Sequence, residues 1–206
     1  METPLQNLIL ASASKSRSQM LLNAGVDFSI QVSNMDETLI KKRFSLKAAE
    51  DIALKLAVLK AQKISKLNID ALVIGADQVL ESGGTLYDKP LNHAVAVSQL
   101  KALRGKTHRL ISAVCVVRNN KTLWDLTDSV NLTMRDLSDE FIQSYLTQAG
   151  TDIFLTVGGY RLEDLGAQLF TRVEGDFFTV LGLPLLPLLE FLRNKQILNI
   201  YKSCSF

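Results

Sequence analysis

Ala71-Leu72-Val73-Ile74-Gly75-Ala76-Asp77-Gln78-Val79 is an apolar run that ends on an acid, with Lys89-Pro90 a short way beyond it. A run of this kind bounded by turn residues reads as a buried strand. Such a strand has little use for an ionised carboxylate, because isolating a charge from water costs several kcal/mol unless it is paired or metal-bound. Asp77 therefore has two readings. It sits at a mouth where water, cation or substrate reaches it, or it caps a turn leaving the strand.

Working outward, the stretch from Lys47 to Lys66 is dense in Ala, Leu, Lys and Glu and reads as a long helix feeding that strand through Asn68-Ile69-Asp70. Asn7 to Ala11 reads as a second buried strand, and Ser12-Ala13-Ser14 offers N-cap residues for a helix ending near Gly25. Beyond Asp77, Gly83-Gly84 signals a tight hairpin. Leu91 to Leu103 is helical in composition, and Leu110 to Val117 is a strand joined by Asn119-Asn120 to another through Val130-Met134. Ser138 opens a helix that Gly150 closes, and Gly158-Gly159 is a turn. Ala167–Val173 and Phe177–Leu181 read as strands, and Pro184 begins a helix through Arg193. Alternating strands and helices favour an α/β sheet with helices on its faces and leave room for a cleft between two halves.

The chain has 206 residues, 47% of them hydrophobic and 21% charged, ordinary for a soluble globular protein. A net charge of +2 and a pI of about 8.5 are too mild to point to nucleic acid or an anionic membrane. The opening residues lack a basic leader, and no run of about 18 uninterrupted apolar residues occurs, so the expectation is a soluble, cytoplasmic protein. Cys115 and Cys204 have neither a nearby thiol nor a histidine at zinc-site spacing. His93 and His108 are isolated and read as surface or packing residues, so no metal is assigned to histidine.

Several side chains could carry chemistry. Ser12-Ala13-Ser14-Lys15-Ser16-Arg17 lies where a strand hands over to a helix, and exposed N–H groups with the helix dipole make that a natural anion site. The bland alternative is that Ser14 only caps the helix while Lys15 and Arg17 point into water. Lys60 falls inside the apolar stripe of its helix, within about 60° of Ala53, Leu56, Ala57 and Ile64. It either snorkels to the rim or converges on Asp77. Lys89 is held extended by the proline after it. Glu37 is a further acid in a turn-like stretch, and one or two carboxylates are what Mg²⁺ takes while keeping waters and binding substrate phosphates. Gly105-Lys106-Thr107 imitates the end of a P-loop, but Leu100 stands at the required upstream glycine, and neither a G-x-G-x-x-G nor a G-x-S-x-G element is present.

Taken in order, these pieces resemble the Maf (septum-formation) family of nucleoside triphosphate pyrophosphatases. The resemblance rests on Leu8-Ile9-Leu10-Ala11-Ser12-Ala13-Ser14 with Arg17, Met35-Asp36-Glu37-Thr38, Leu59-Lys60-Ala61, Gly75-Ala76-Asp77-Gln78-Val79, Asp88-Lys89-Pro90, Leu103-Arg104-Gly105-Lys106-Thr107, Gly158-Gly159-Tyr160 and Gly182-Leu183-Pro184-Leu185. It implies a single domain over 1–206: an α/β fold whose mixed, twisted sheet is flanked by helices, with two lobes around a nucleotide-binding cleft. It also implies hydrolysis of a nucleoside triphosphate to monophosphate and pyrophosphate, assisted by a divalent cation, Mg²⁺ or Mn²⁺. By the match, Asp77 is the catalytic acid, as water activator or metal ligand, and Glu37 helps hold the metal. Lys60, Lys89, Arg17 and the Ser12/Ser14 turn neutralise the triphosphate.

Gln78 and Glu163 resemble the branch preferring 7-methyl-GTP, where other members carry Thr and Gln. An acid near a cationic methylated guanine favours it over a neutral pyrimidine. Ser16 fits neither branch, since that place is commonly arginine in pyrimidine-preferring members and tryptophan in 7-methyl-GTP members; Ser18 stands where the second branch has arginine. The expected substrate is 7-methyl-GTP or a similar modified nucleotide, with dTTP or UTP as the alternative. A second class is a nucleotide-binding regulator of septum formation without turnover, against which two acids argue, because triphosphate binding alone needs cations. No nucleic acid or membrane partner is expected, and a homodimer is compatible with this kind of fold.

Overall fold

A computed structural model describes residues 7–44 and 48–198. Its centre is an open seven-stranded sheet: β1 (Leu8–Leu10), β2 (Ser29–Ile30), β3 (Leu72–Ser82), β4 (Thr85–Tyr87), β5 (Thr107–Arg118), β6 (Lys121–Met134) and β7 (Phe170–Glu174). The order is β2-β1-β3-β5-β6-β7, with β4 paired to the end of β3. β1 runs parallel to both β2 and β3, and every other pairing is antiparallel. The sheet is mixed, as the family resemblance implies. Both hairpin turns need left-handed backbone at two successive residues. Gly83-Gly84 supplies it without a Cβ penalty, and Asn119-Asn120 does so with φ of 47° and 61°.

The helices are α1 (Lys15–Asn23), α2 (Glu37–Arg43), α3 (Ala49–Ser65), α4 (His93–Leu103), α5 (Asp139–Ala149), α6 (Phe177–Val180) and α7 (Leu185–Asn194). Alternation along the strands sends successive side chains to opposite faces. Ile9, Val73, Ile111 and Ala113 meet α3, whereas Leu10, Ile74, Ala76 and Val114 meet α1 and α7. Covering both faces explains why β3 is a near-continuous apolar run. Toward its far end Leu80 joins a third cluster, with Leu110 and Leu132 against α4 and α5.

Two expected strands differ. Residues 165–169 form a 3₁₀ turn, so the strand expected over Ala167–Val173 begins only at Phe170. Phe177–Leu181, strand-like in composition, is the short helix α6, because Asp176 accepts from Thr179 N and caps it. Gly175, at φ 137°, turns the chain off β7 just before that cap. Local capping defeats aromatic and β-branched composition there.

The helix expected from Lys47 is seen from Ala49; Lys47, Met1 to Gln6, Cys204 and most of the tail after Gln196 lie outside the described residues. Cys115 is fully buried, and burial pushes its thiol up to about 12. That is the profile of an inert packing residue. Among the described residues no helix is long and apolar enough to cross a membrane.

Candidate active site

The site begins with a close approach. A Cβ on Gly75 would lie 2.2 Å from Ala57 O and 2.8 Å from the Ala61 Cβ, so α3 can rest on β3 only because residue 75 has no side chain. Gly75 and Asp77 point to the same face of β3, and Lys60 lies between Ala57 and Ala61 on α3. The contact therefore delivers Lys60 onto Asp77, with Nζ–Oδ1 at 2.5 Å. Glu37, the first residue of α2, reaches the same ammonium at 2.6 Å. Lys60 thus converges on Asp77 rather than snorkelling, and Asp77 does not cap a turn.

One ammonium stabilises the charge of both carboxylates, and their unequal burial sets the two acids apart. Burial raises the Asp77 pKa, and the neighbouring Glu37 charge adds to it, against Lys60 and Arg17; the net shift is upward. Burial also opposes ionisation of Glu37, but Lys60, Lys41 and Lys89 outweigh it and the net shift is downward. Burial lowers the Lys89 pKa, with help from Arg17 and Lys60 and against Glu37 and Asp77. Glu37 is the ionised member facing solvent, and Asp77 the one that resists charge.

The Ser12–Arg17 turn follows the carboxyl end of β1, where α/β sheets bind ligands. Ser14 caps α1 by accepting from Arg17 N at 3.4 Å, and Ser12 Oγ accepts from Ser14 N at 3.2 Å. Arg17 does not point into water. It is 8% exposed and donates from Nε to Gly182 O at 2.7 Å and from Nη1 to Ala76 O at 3.0 Å and Ser12 Oγ at 3.2 Å. Burial lowers its pKa while Asp77 and Glu37 oppose; guanidinium remains charged at any ordinary pH. Arg17 is a fixed charge behind the turn that ties it to the Gly182 loop.

These elements open onto a cavity of about 450 Å³, within the range of small-molecule sites. Ser12, Ser14, Ser16, Arg17, Glu37, Lys60, Gln78 and Lys89 all line it. Asp77 does not: at 3% exposure it lies behind Lys60. Glu163 does not line it either, and instead accepts from Arg161 Nε at 3.2 Å. Ser18 turns back on its own helix, donating to Lys15 O. The Gln78 amide nitrogen is taken by Ser112 Oγ at 3.0 Å, Thr179 O at 3.1 Å and Val180 O at 3.0 Å, which fixes its orientation against α6.

The donor set suits a hard divalent cation. Glu37 and Asp77 both present a carboxylate oxygen to the Lys60 ammonium, so a cation held by the pair would take the place of that ammonium, and Asp77 Oδ2 is buried without a hydrogen-bond partner. Among the described residues no group of three or more His, Cys, Asp or Glu is arranged to hold a metal ion. A cation here would take its remaining ligands from water and phosphate, as Mg²⁺ does.

The family described as Maf-like protein matches residues 7–195. The chain belongs to the Maf family. A nucleoside triphosphate pyrophosphatase of Nitrobacter hamburgensis is 45% identical over 193 residues, covering 94% of this chain and 96% of the relative. Another, from Paramagnetospirillum magneticum, is 48% identical over 187 residues, covering 90% and 96%. A 7-methyl-GTP pyrophosphatase of Rhizobium meliloti is 44% identical over 188 residues, covering 90% and 94%. Both names occur at similar identity, so overall likeness does not separate the two kinds of Maf relative.

Three features of the site have roles that the Maf motifs do not assign. Gly75 carries a signal, since glycine inside a strand marks a close backbone approach. Asp152 and Arg161, which line the cavity and pair at 3.4 Å, carry none that their spacing reveals. The Ser112–Thr179 link that seats Gln78 joins positions far apart in sequence, with Ser112 Oγ donating to Thr179 O at 2.8 Å.

Proposed function

We propose that the cavity binds a nucleoside triphosphate and hydrolyses it between the α- and β-phosphates, releasing monophosphate and pyrophosphate, with 7-methyl-GTP favoured. The observation that carries this is the Glu37–Lys60–Asp77 triplet at the wall of a cavity bordered by a hydroxyl-rich helix N-terminus. A serine-rich helix start binds phosphate through N–H and hydroxyl groups. Lys60, Lys89 and Arg17 add the positive charge that a leaving pyrophosphate requires. The curated relatives bear names of the same activity, and some carry the 7-methyl-GTP name.

In the reaction, a water oxygen bonds to the α-phosphorus as the bond from that phosphorus to the α,β-bridging oxygen breaks. The proton lost by water passes to a carboxylate, and the electron pair leaves with pyrophosphate. A bound Mg²⁺ or Mn²⁺, held by Glu37 and Asp77, would polarise the phosphate oxygens and acidify water. Glu37 faces the cavity and orients the water. Asp77 serves either as a second ligand of that cation or as the base that takes the proton from water once Lys60 moves toward phosphate. The protein is read as a cytoplasmic single domain over residues 1–206 that acts on a small nucleotide, with a homodimer compatible.

The test is pyrophosphate release from 7-methyl-GTP, UTP and dTTP side by side, for wild type and Asp77→Asn. Release should vanish in the variant, with its thermal unfolding still cooperative, and 7-methyl-GTP should lead the panel. Undiminished turnover by Asp77→Asn removes that residue from the chemistry, and faster UTP or dTTP turnover by the wild type refutes the base assignment. Tight nucleotide binding without release at any metal concentration makes the protein a sensor instead.

A further inference from the structure

The 152–161 wall of the cavity has a charge character of its own. It contributes Leu155, Val157, Asp152 and Arg161. The Arg161 guanidinium is shared among three carboxylates: Nε to Glu163 Oε1 at 3.2 Å, and Nη1 to Asp164 Oδ2 at 3.2 Å and Asp152 Oδ2 at 3.4 Å. One cation against three anions leaves this group net negative, so it repels a triphosphate. The cations cluster instead at the Ser12–Arg17 turn, Lys60 and Lys89. Charge segregation thus assigns the phosphates to the turn and the nucleoside to the 152–161 wall, where Leu155 and Val157 offer apolar contact to a base.

Among the three acids only Asp152 lines the cavity, and its contact to Arg161 is the longest. Glu163 is held by Arg161 and does not line the cavity. We infer that Asp152 is the residue that reads the charge of the base, favouring a cationic, N-alkylated purine ring over its neutral parent, and that Glu163 acts on the base only by holding Arg161. This rests on the cavity being the nucleotide site, as proposed above.

The physical reason is direct. A carboxylate at contact distance from a cationic ring gains on the order of 1 kcal/mol even in full water and more where the cavity wall excludes solvent, whereas a neutral guanine gains none of it. The effect belongs to the comparison between a methylated and an unmethylated base with the same triphosphate, because all phosphate interactions cancel in that ratio.

The experiment measures kcat/KM for 7-methyl-GTP and for GTP with wild type, Asp152→Asn and Glu163→Gln, each checked for cooperative unfolding. Asp152→Asn should lower the methylated-to-unmethylated ratio about fivefold or more. Glu163→Gln should lower it less, and added salt should shrink the wild-type ratio. A ratio in Asp152→Asn within about twofold of wild type overturns the inference, as does a larger fall in Glu163→Gln. If neither guanine nucleotide is turned over, the same ratio is read from calorimetric dissociation constants, and absence of binding of both overturns it. Failure of the substrate reading is separate: there the wild type prefers UTP or dTTP, while the response of the guanine ratio to Asp152→Asn still decides the role of Asp152.

Discussion

Replacing Gly75 with alanine adds one methyl group at the point where α3 touches β3. That methyl would lie 2.2 Å from Ala57 O and 2.8 Å from the Ala61 Cβ, against ordinary contact beginning at 3.4 Å. Ala57 O is backbone, so no rotamer relieves the overlap; the helix must withdraw by about 1 Å, and overpacking of this kind costs ~1–3 kcal/mol. Lys60 rides on that helix one residue from Ala61, with its ammonium held at 2.5 and 2.6 Å from the two carboxylates. A misplacement of ~1 Å at reacting groups can cost ~10²-fold in rate. The long lysine side chain absorbs part of the shift, so the expected loss is between about 10- and 100-fold in pyrophosphate release, with urea unfolding shifted by about 2 kcal/mol and an unchanged m-value. A second change, Ala61→Gly, should not restore activity, because the overlap with Ala57 O remains. Gly75→Ala turnover within about twofold of wild type would refute the claim that this contact sets the site.

Two further outcomes follow from the buried charges. Lys60→Met leaves Asp77 uncompensated at 3% exposure, and breaking a buried pair costs ~3–5 kcal/mol. The double variant Lys60→Met/Asp77→Leu should recover most of that stability in urea unfolding, and equal loss in both would contradict a direct pairing. His108 is 1% exposed and bonded through Nε2 to Tyr160 Oη at 2.7 Å, and burial lowers its pKa from 6.5 to about 4. The folded state therefore binds fewer protons than the unfolded one between those values, so this contribution is full above pH 6.5 and lost as the pH falls toward 4, by roughly 3 kcal/mol in all. Unfolding followed across that window should show a shallower pH slope in His108→Gln than in wild type; equal slopes would contradict it.

What could be read in advance was what depends on local chemistry. Lys60 stood out because a helix period places it among apolar neighbours, and the strand carrying Asp77 was legible from its composition. The left-handed hairpins at Gly83-Gly84 and Asn119-Asn120 were legible for the same reason. Misreadings arose where one short-range contact outweighed composition, as Asp176 did in turning Phe177–Val180 into a helix. Contacts across long separations leave no trace: sequence alone makes Arg17 a phosphate ligand or a solvated charge, and its carbonyl partners appear only in three dimensions. Glu163 matches the branch preferring 7-methyl-GTP by residue type, but only the fold shows that it pairs with Arg161 and that Asp152 lines the cavity.

The bond from Arg17 to Gly182 spans 165 residues. It therefore has a place in time as well as in space. A chain emerging from the ribosome can assemble α1, β1 and β3 long before Gly182 is made, but the guanidinium then has no carbonyl at that position to set its direction. The Ser12–Arg17 turn gains this tie only when the Gly182 loop docks, so a chain stopped before Gly182 lacks it. The turn at the cavity mouth is therefore held in place late, by a residue made after the strands of the sheet.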